Sequence, residues 1–122
     1  MKNKQSLYNS FRIGFIGIAL VLKERNFVID LFCAFAAIAA GFLLKISYLE
    51  WVTVLLCIAI VLSLEAVNTA IEKTIDLLHP HEHEKAGEVK DIAAGAVLIA
   101  AIISAIIGVI IFLPKIYDLV KA

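Results

Sequence analysis

Three stretches of this chain stay apolar for about the thickness of a bilayer. They are "FVIDLFCAFAAIAAGFLL" at 27–44, a run opening with "WVTVLLCIAIVLSL" at 51–64, and "IAAGAVLIAAIISAIIGVIIFL" at 92–113. A 22-residue helix reaches about 33 Å, enough to cross a hydrocarbon core of about 30 Å. Strands would need far fewer residues, and the Ala, Leu and Ile content suits helix. Composition agrees, because 62% of the 122 residues are hydrophobic where a soluble domain has about 45–50%. The expected fold is therefore all-α and integral to a membrane, as a single domain over 1–122. Transmembrane helices are expected at about 27–46, 50–78 and 88–113, the last stopped by Pro114, since proline suits a helix end.

A fourth segment, "FRIGFIGIALVL" at 11–22, is apolar but too short to span, and Arg12, Lys23, Glu24 and Arg25 bracket it. An amphipathic surface helix over about 6–25 is expected, with a fourth span as the alternative. The N-terminus lacks the small-residue cleavage pattern of a signal peptide. Cys33 and Cys57 lie inside apolar runs and read as packed free thiols, not a disulfide framework. Net charge is zero, which points away from nucleic acid as a partner.

Charge sets the orientation. With three spans, Lys2, Lys4, Arg12, Lys23, Arg25, Lys73, Lys85 and Lys90 share one side, against Lys45, Lys115 and Lys121 on the other. The richer side is expected in the cytoplasm, with the N-terminus and the 73–90 loop. Gly41, Gly95 and Gly108 sit among alanines, which suits close packing of helices or subunits.

The second apolar run ends in acids. Glu65, Asn68, Glu72 and Asp76 are spaced 3, 4 and 4, which places them on one helix face. A charged side chain at the centre of a membrane helix costs about 2.5–3.5 kcal/mol on insertion scales. Glu72 and Asp76 taken alone also suit a solvated helix end, and Glu65 a paired core residue. Glu24, Asp30, Lys90 and Asp91 gather at the same membrane level. Carboxylates beside a lysine are the parts of a metal–polyphosphate site: Mg²⁺ takes oxygen ligands, lysine neutralises phosphate, and a further carboxylate takes a hydroxyl proton. Lys90 alone also reads as a snorkelling boundary residue.

These residues carry a resemblance. "EAVNTAIEKTID" at 65–76 resembles the signature of the prokaryotic diacylglycerol kinase family, in which the Gram-positive branch comprises undecaprenol kinases. "KDIAAGAV" at 90–97 looks like its second block, and "KERNF" at 23–27 is similar to the Gram-positive form of its first. The resemblance implies a surface helix plus three transmembrane helices, a homotrimer, and active sites between protomers at the cytoplasmic surface of the bacterial inner membrane. It implies Glu65 as general base on the lipid hydroxyl, and Glu24 and Glu72 holding Mg²⁺ with ATP. It further implies Asn68 as support, Lys90 and Asp91 on the nucleotide, and Arg12 from the N-terminal helix touching it. Asp76 fits the motif, with loop ordering as its expected role.

The loop "HPHEHEKAGE" at 79–88 departs from the Gram-negative pattern. Glu82 and His83 are its candidate nucleotide contacts, with a transition-metal site as the alternative. No P-loop, protein-kinase glycine loop or D-F-G motif is present, so side chains, Mg²⁺ and the helix start near Lys90 must handle phosphate. The implied activity is ATP-dependent phosphorylation of a membrane lipid alcohol. Undecaprenol is the expected acceptor, from the first block and the "SLEAVNTAIE" wording, and diacylglycerol the alternative. A small proton-coupled transporter using Glu65 is the rival class. The acids stacked toward the cytoplasm argue against it.

Overall fold

The computed structural model describes residues 6–122, and Lys2 and Lys4, counted above for orientation, lie outside them. Four helices follow in order: α1 (Leu7–Val21), α2 (Arg25–Leu43), α3 (Tyr48–Leu78) and α4 (Glu84–Lys121). Three of them are long and apolar enough to cross a membrane; α1 is shorter. At 15 residues, α1 falls below the ~20 that a span needs. This multi-pass architecture matches the expected helical class.

Local chemistry explains the boundaries. Ser6 caps α1 by accepting from the Asn9 amide at 3.3 Å. Ser47 opens α3 with a reciprocal box: its hydroxyl accepts from the Glu50 amide at 3.3 Å, and the Ser47 amide donates to Glu50 Oε1 at 2.9 Å. Each side chain thereby satisfies an orphan donor of the first turn. His83 opens α4, its Nδ1 accepting from the Ala86 amide at 3.2 Å. That cap starts the helix several residues before the expected position near 88.

The α2 end is a Schellman turn. The Ile46 amide donates back to the Gly41 carbonyl at 3.1 Å, and the Lys45 amide to Phe42 at 3.4 Å. Lys45 holds a left-handed φ of 51°, where glycine is usual. Gly41 is needed for its size: a Cβ there would lie 2.7 Å from Trp51 Cη2 and 3.0 Å from Ile46 Cδ1.

Pro114 does not stop the last helix, contrary to expectation; α4 continues through it to Lys121. A lost backbone bond is tolerated in membrane helices when neighbouring groups compensate. Here the next residue anchors the final turns, because Lys115 pairs with Glu50 of α3 at 3.1 Å.

Helix α3 is the central element, packing most extensively on α4 and next on α2. At the end far from the acidic stripe, Ile46, Val54 and Ile111 form a small core covered by Trp51, Ile107 and Phe112. Elsewhere, large apolar side chains such as Phe32, Phe35, Ile99 and Ile103 face outward, as lipid permits. Cys33, expected to be packed, is exposed on α2, while Cys57 is half-buried; both thiols are free. An exposed thiol in a lipid-facing helix needs no polar partner, so burial is not required there.

At 31 residues, α3 is about 46 Å long and overshoots a ~30 Å core. The acidic stripe lies on its C-terminal half.

Candidate active site

The three buried polar residues among those described are Glu65, Asn68 and Thr69, all on α3. Glu65 is 5% exposed and Asn68 6%, a degree of burial that charged groups reach only when paired or functional. Along the stripe, exposure rises: Glu72 is half-buried and Asp76 exposed. The stripe therefore runs from the helix interface out to water.

Glu65 and Asn68 line a cavity of about 240 Å³ between α2, α3 and α4, whose walls include Asp30, Ala94, Val97 and Ala101. The charged neighbours of Glu65 are Asp30, across on α2, and Glu72, two turns on along α3. Asn68 bridges the stripe by donating from Nδ2 to Glu72 Oε1 at 3.2 Å. Its own Oδ1 is buried without a donor. A buried acceptor left unpaired costs about 1–3 kcal/mol, which sets Asn68 apart from the other members of the stripe.

A second, polar cavity of about 780 Å³ lies at the α3–α4 turn. Asp76, Glu82, His83, Lys90 and Asp91 all line it. Lys90 Nζ donates to Asp76 Oδ1 across the turn. His79 and His83 stack with ring centroids 4.5 Å apart. The His83 ring also caps α4, so its Nδ1 is engaged and only Nε2 is left to meet a ligand.

Glu24 sits at the α2 N-cap without capping it. Its carboxylate instead pairs with Lys73 of α3 at 3.4 Å. That contact brings the α2 start to the level of Glu72, the residue before Lys73. Among the described residues, no three His, Cys, Asp or Glu side chains converge as a metal-binding group. Arg12 is exposed on α1 and lines neither cavity.

Periodicity thus found the α3 stripe, and the fold gathers Asp76, Glu82, His83, Lys90 and Asp91 at one turn. Asp30 was not singled out for a role, yet it faces Glu65. Its signal was an acid interrupting an apolar run, on a different helix from the stripe.

The arrangement places a buried glutamate, with half-buried Asp30 facing it, between the helices, and a polar pocket lined by Lys90 at the α3–α4 turn. The sequence model of the prokaryotic diacylglycerol kinase family matches residues 12–112. Undecaprenol kinase of Bacillus subtilis is 49% identical over 92 residues, covering 75% of each chain. Diacylglycerol kinase of Synechocystis sp. is 38% identical over 116 residues, 93% of this chain and 66% of the relative. Diacylglycerol kinase of Haemophilus influenzae is 29% identical over 109 residues, 87% of this chain and 92% of the relative. With that match reaching from α1 through most of α4, the chain belongs to the prokaryotic diacylglycerol kinase family of membrane lipid kinases.

Proposed function

We propose that the protein transfers the γ-phosphoryl group of ATP to undecaprenol, giving undecaprenyl phosphate and ADP. The observation that carries the chemistry is the path of the α3 stripe, which joins a buried glutamate between three helices to a polar pocket with Lys90. The substrate rests on the 49% identity to an undecaprenol kinase. Diacylglycerol is the second acceptor to test, because two further relatives bear that name.

In this reading the lipid hydroxyl meets Glu65, which takes its proton as the oxygen attacks the γ-phosphorus and ADP leaves. General-base catalysis of this kind contributes about 10²–10⁴-fold. Lys90 neutralises phosphate oxygens once it leaves Asp76, and Asp91, Glu82 and His83 contact the nucleotide. Asn68 holds Glu72 in place, and Asp76 orders the turn.

The donor chemistry fits Mg²⁺. The ion is hard, prefers oxygen, and is held by one or two carboxylates together with phosphates and waters. Glu24 and Glu72 would hold it, and the unpaired Asn68 Oδ1 is a further oxygen nearby. When bound, Mg²⁺ supplies charge neutralisation on the β- and γ-phosphates.

Two features support a homotrimer with shared sites. Arg12 is exposed and lines neither cavity of its own chain, which leaves it free to reach a neighbour's site. A Cβ built at Gly95 of α4 meets nothing within 4 Å, which leaves an open small-residue surface for close helix approach. The cation asymmetry supports a bacterial inner-membrane protein with the N-terminus and the 73–90 turn in the cytoplasm.

The test is a panel of lipid alcohols offered with Mg-ATP to purified protein in lipid nanodiscs. Undecaprenol should be phosphorylated at a higher kcat/KM than diacylglycerol. Glu65→Gln should lower kcat at least 100-fold with Mg-ATP binding retained, whereas Glu72→Gln should weaken Mg-dependent nucleotide binding. Near-normal turnover in both variants would overturn the assignment.

A further inference from the structure

The phosphoryl transfer makes little use of the histidine-rich turn, "HPHEHE" at 79–84, and the chemistry of that turn depends on one proton. His83 Nδ1 accepts from the Ala86 amide at 3.2 Å. An accepting ring nitrogen carries no proton, so the capping ring is neutral and holds its proton on Nε2. An imidazolium donates from both nitrogens and accepts at neither. It also places positive charge at a helix N-terminus, where the macrodipole disfavours it. The cap therefore exists only with a neutral His83.

The turn that this cap starts has little else to hold it. Of Glu84, Lys85, Ala86 and Gly87, Ala86 alone is buried, and glycine is among the weakest helix formers. Yet this turn carries part of the polar cavity. Ala86, Gly87 and Glu88 line it, and Lys90 and Asp91 follow on the next turn of the same helix. We infer that His83 is a positioning residue under proton control: neutral, it holds the first turn of α4 as a wall of the nucleotide pocket, and protonated, it releases that turn. The identity of the ligand is taken from the lipid-kinase reading above; the cap itself is independent of it.

The surroundings favour release once the ring is charged. Asp76 from α3, Glu82 from the turn, and Glu84, Glu88 and Asp91 from α4 line the same cavity, and nearby acids stabilise an imidazolium that has left the amide. Lys90 opposes them, but its ammonium is held by Asp76. His79, at the end of α3, stacks on His83 at 4.5 Å and His81 lines the cavity, so a second proton meets like charge. An ordinary imidazole titrates at about pH 6.5. Because the neutral ring makes the cap, the cap is complete above that range and is lost as pH falls through it. Mg-ATP affinity falls with it.

Amide exchange of the full chain in nanodiscs reads the cap directly. In wild type, protection of the Ala86 amide, corrected for intrinsic exchange, should fall about threefold or more between about pH 7.5 and about pH 5.5. Asparagine caps through a side-chain oxygen that does not titrate in this range, so His83→Asn should show no such fall. Mg-ATP titration gives the second readout. The ratio of wild-type to His83→Asn affinity cancels the nucleotide's own titration. It should drop about threefold or more over the same interval, within the ~2–30-fold that loss of a cap is worth. His79→Gln should keep the wild-type dependence. Protection or an affinity ratio that does not change with pH, the same dependence in His83→Asn, its loss in His79→Gln, or affinity that rises in acid because the imidazolium pairs with phosphate would overturn the inference. If the protein binds no Mg-ATP at any pH, the functional reading fails, and amide exchange still decides the cap.

Discussion

Replacing Asn68 with leucine separates building the fold from building the site. Two terms oppose each other in the free protein. The variant loses the Nδ2 bond to Glu72; side-chain bonds within membranes average about 0.6 kcal/mol and reach about 1.7. It also removes the buried, unpaired Oδ1, whose relief returns about 1–3 kcal/mol. Leucine has nearly the same shape, so no large cavity opens. The net change in stability should lie between about 0.7 kcal/mol unfavourable and about 2.4 kcal/mol favourable. Function should respond differently. Glu72 loses the donor that orients it, and the bound state loses an oxygen. Mg-ATP affinity should fall at least tenfold, which is about 1.4 kcal/mol. Unfolding can be followed through Trp51, the sole tryptophan, which packs on Phe42 at 4.8 Å far from the substitution. Nucleotide titration in nanodiscs reads the second quantity. A stability loss above about 3 kcal/mol with unchanged Mg-ATP affinity would refute the reasoning, because Asn68 would then be a structural tie.

The exposed Asp76–Lys90 pair should matter little to stability, so Asp76→Asn should change the unfolding free energy by less than about 1 kcal/mol. Mg-ATP affinity should rise about two- to fivefold because Lys90 loses a competitor, while Lys90→Met should lower affinity at least tenfold; both follow from nucleotide titration. His83→Ala removes the α4 cap and should cost about 0.5–2 kcal/mol in thermal unfolding. His83→Asn should restore the cap, and if the imidazole touches nucleotide, affinity should stay reduced in both variants. Gly41→Ala should cost about 1–3 kcal/mol, since its Cβ would press on the rigid Trp51 ring at 2.7 Å; a change in Trp51 fluorescence should accompany the loss.

The sequence alone was enough to establish the helical membrane class and the polar face of α3. Both are local: a bilayer demands long apolar helices, and a 3.6-residue period places Glu65, Asn68, Glu72 and Asp76 on one line. Capping residues Ser47 and His83 were also readable in principle, being one residue outside the helices they start. Pro114 was misleading because its tolerance depends on Lys115 finding Glu50, more than sixty residues away. Only the tertiary structure could decide what faces the stripe. Asp30 meets Glu65, Lys73 takes Glu24, Lys90 takes Asp76, and an apolar space lies beside Asp30, because α2 and α4 both pack on α3. A helix's own period determines which residues share a face, whereas the partner of that face depends on how separate helices pack, and no single stretch of chain encodes it.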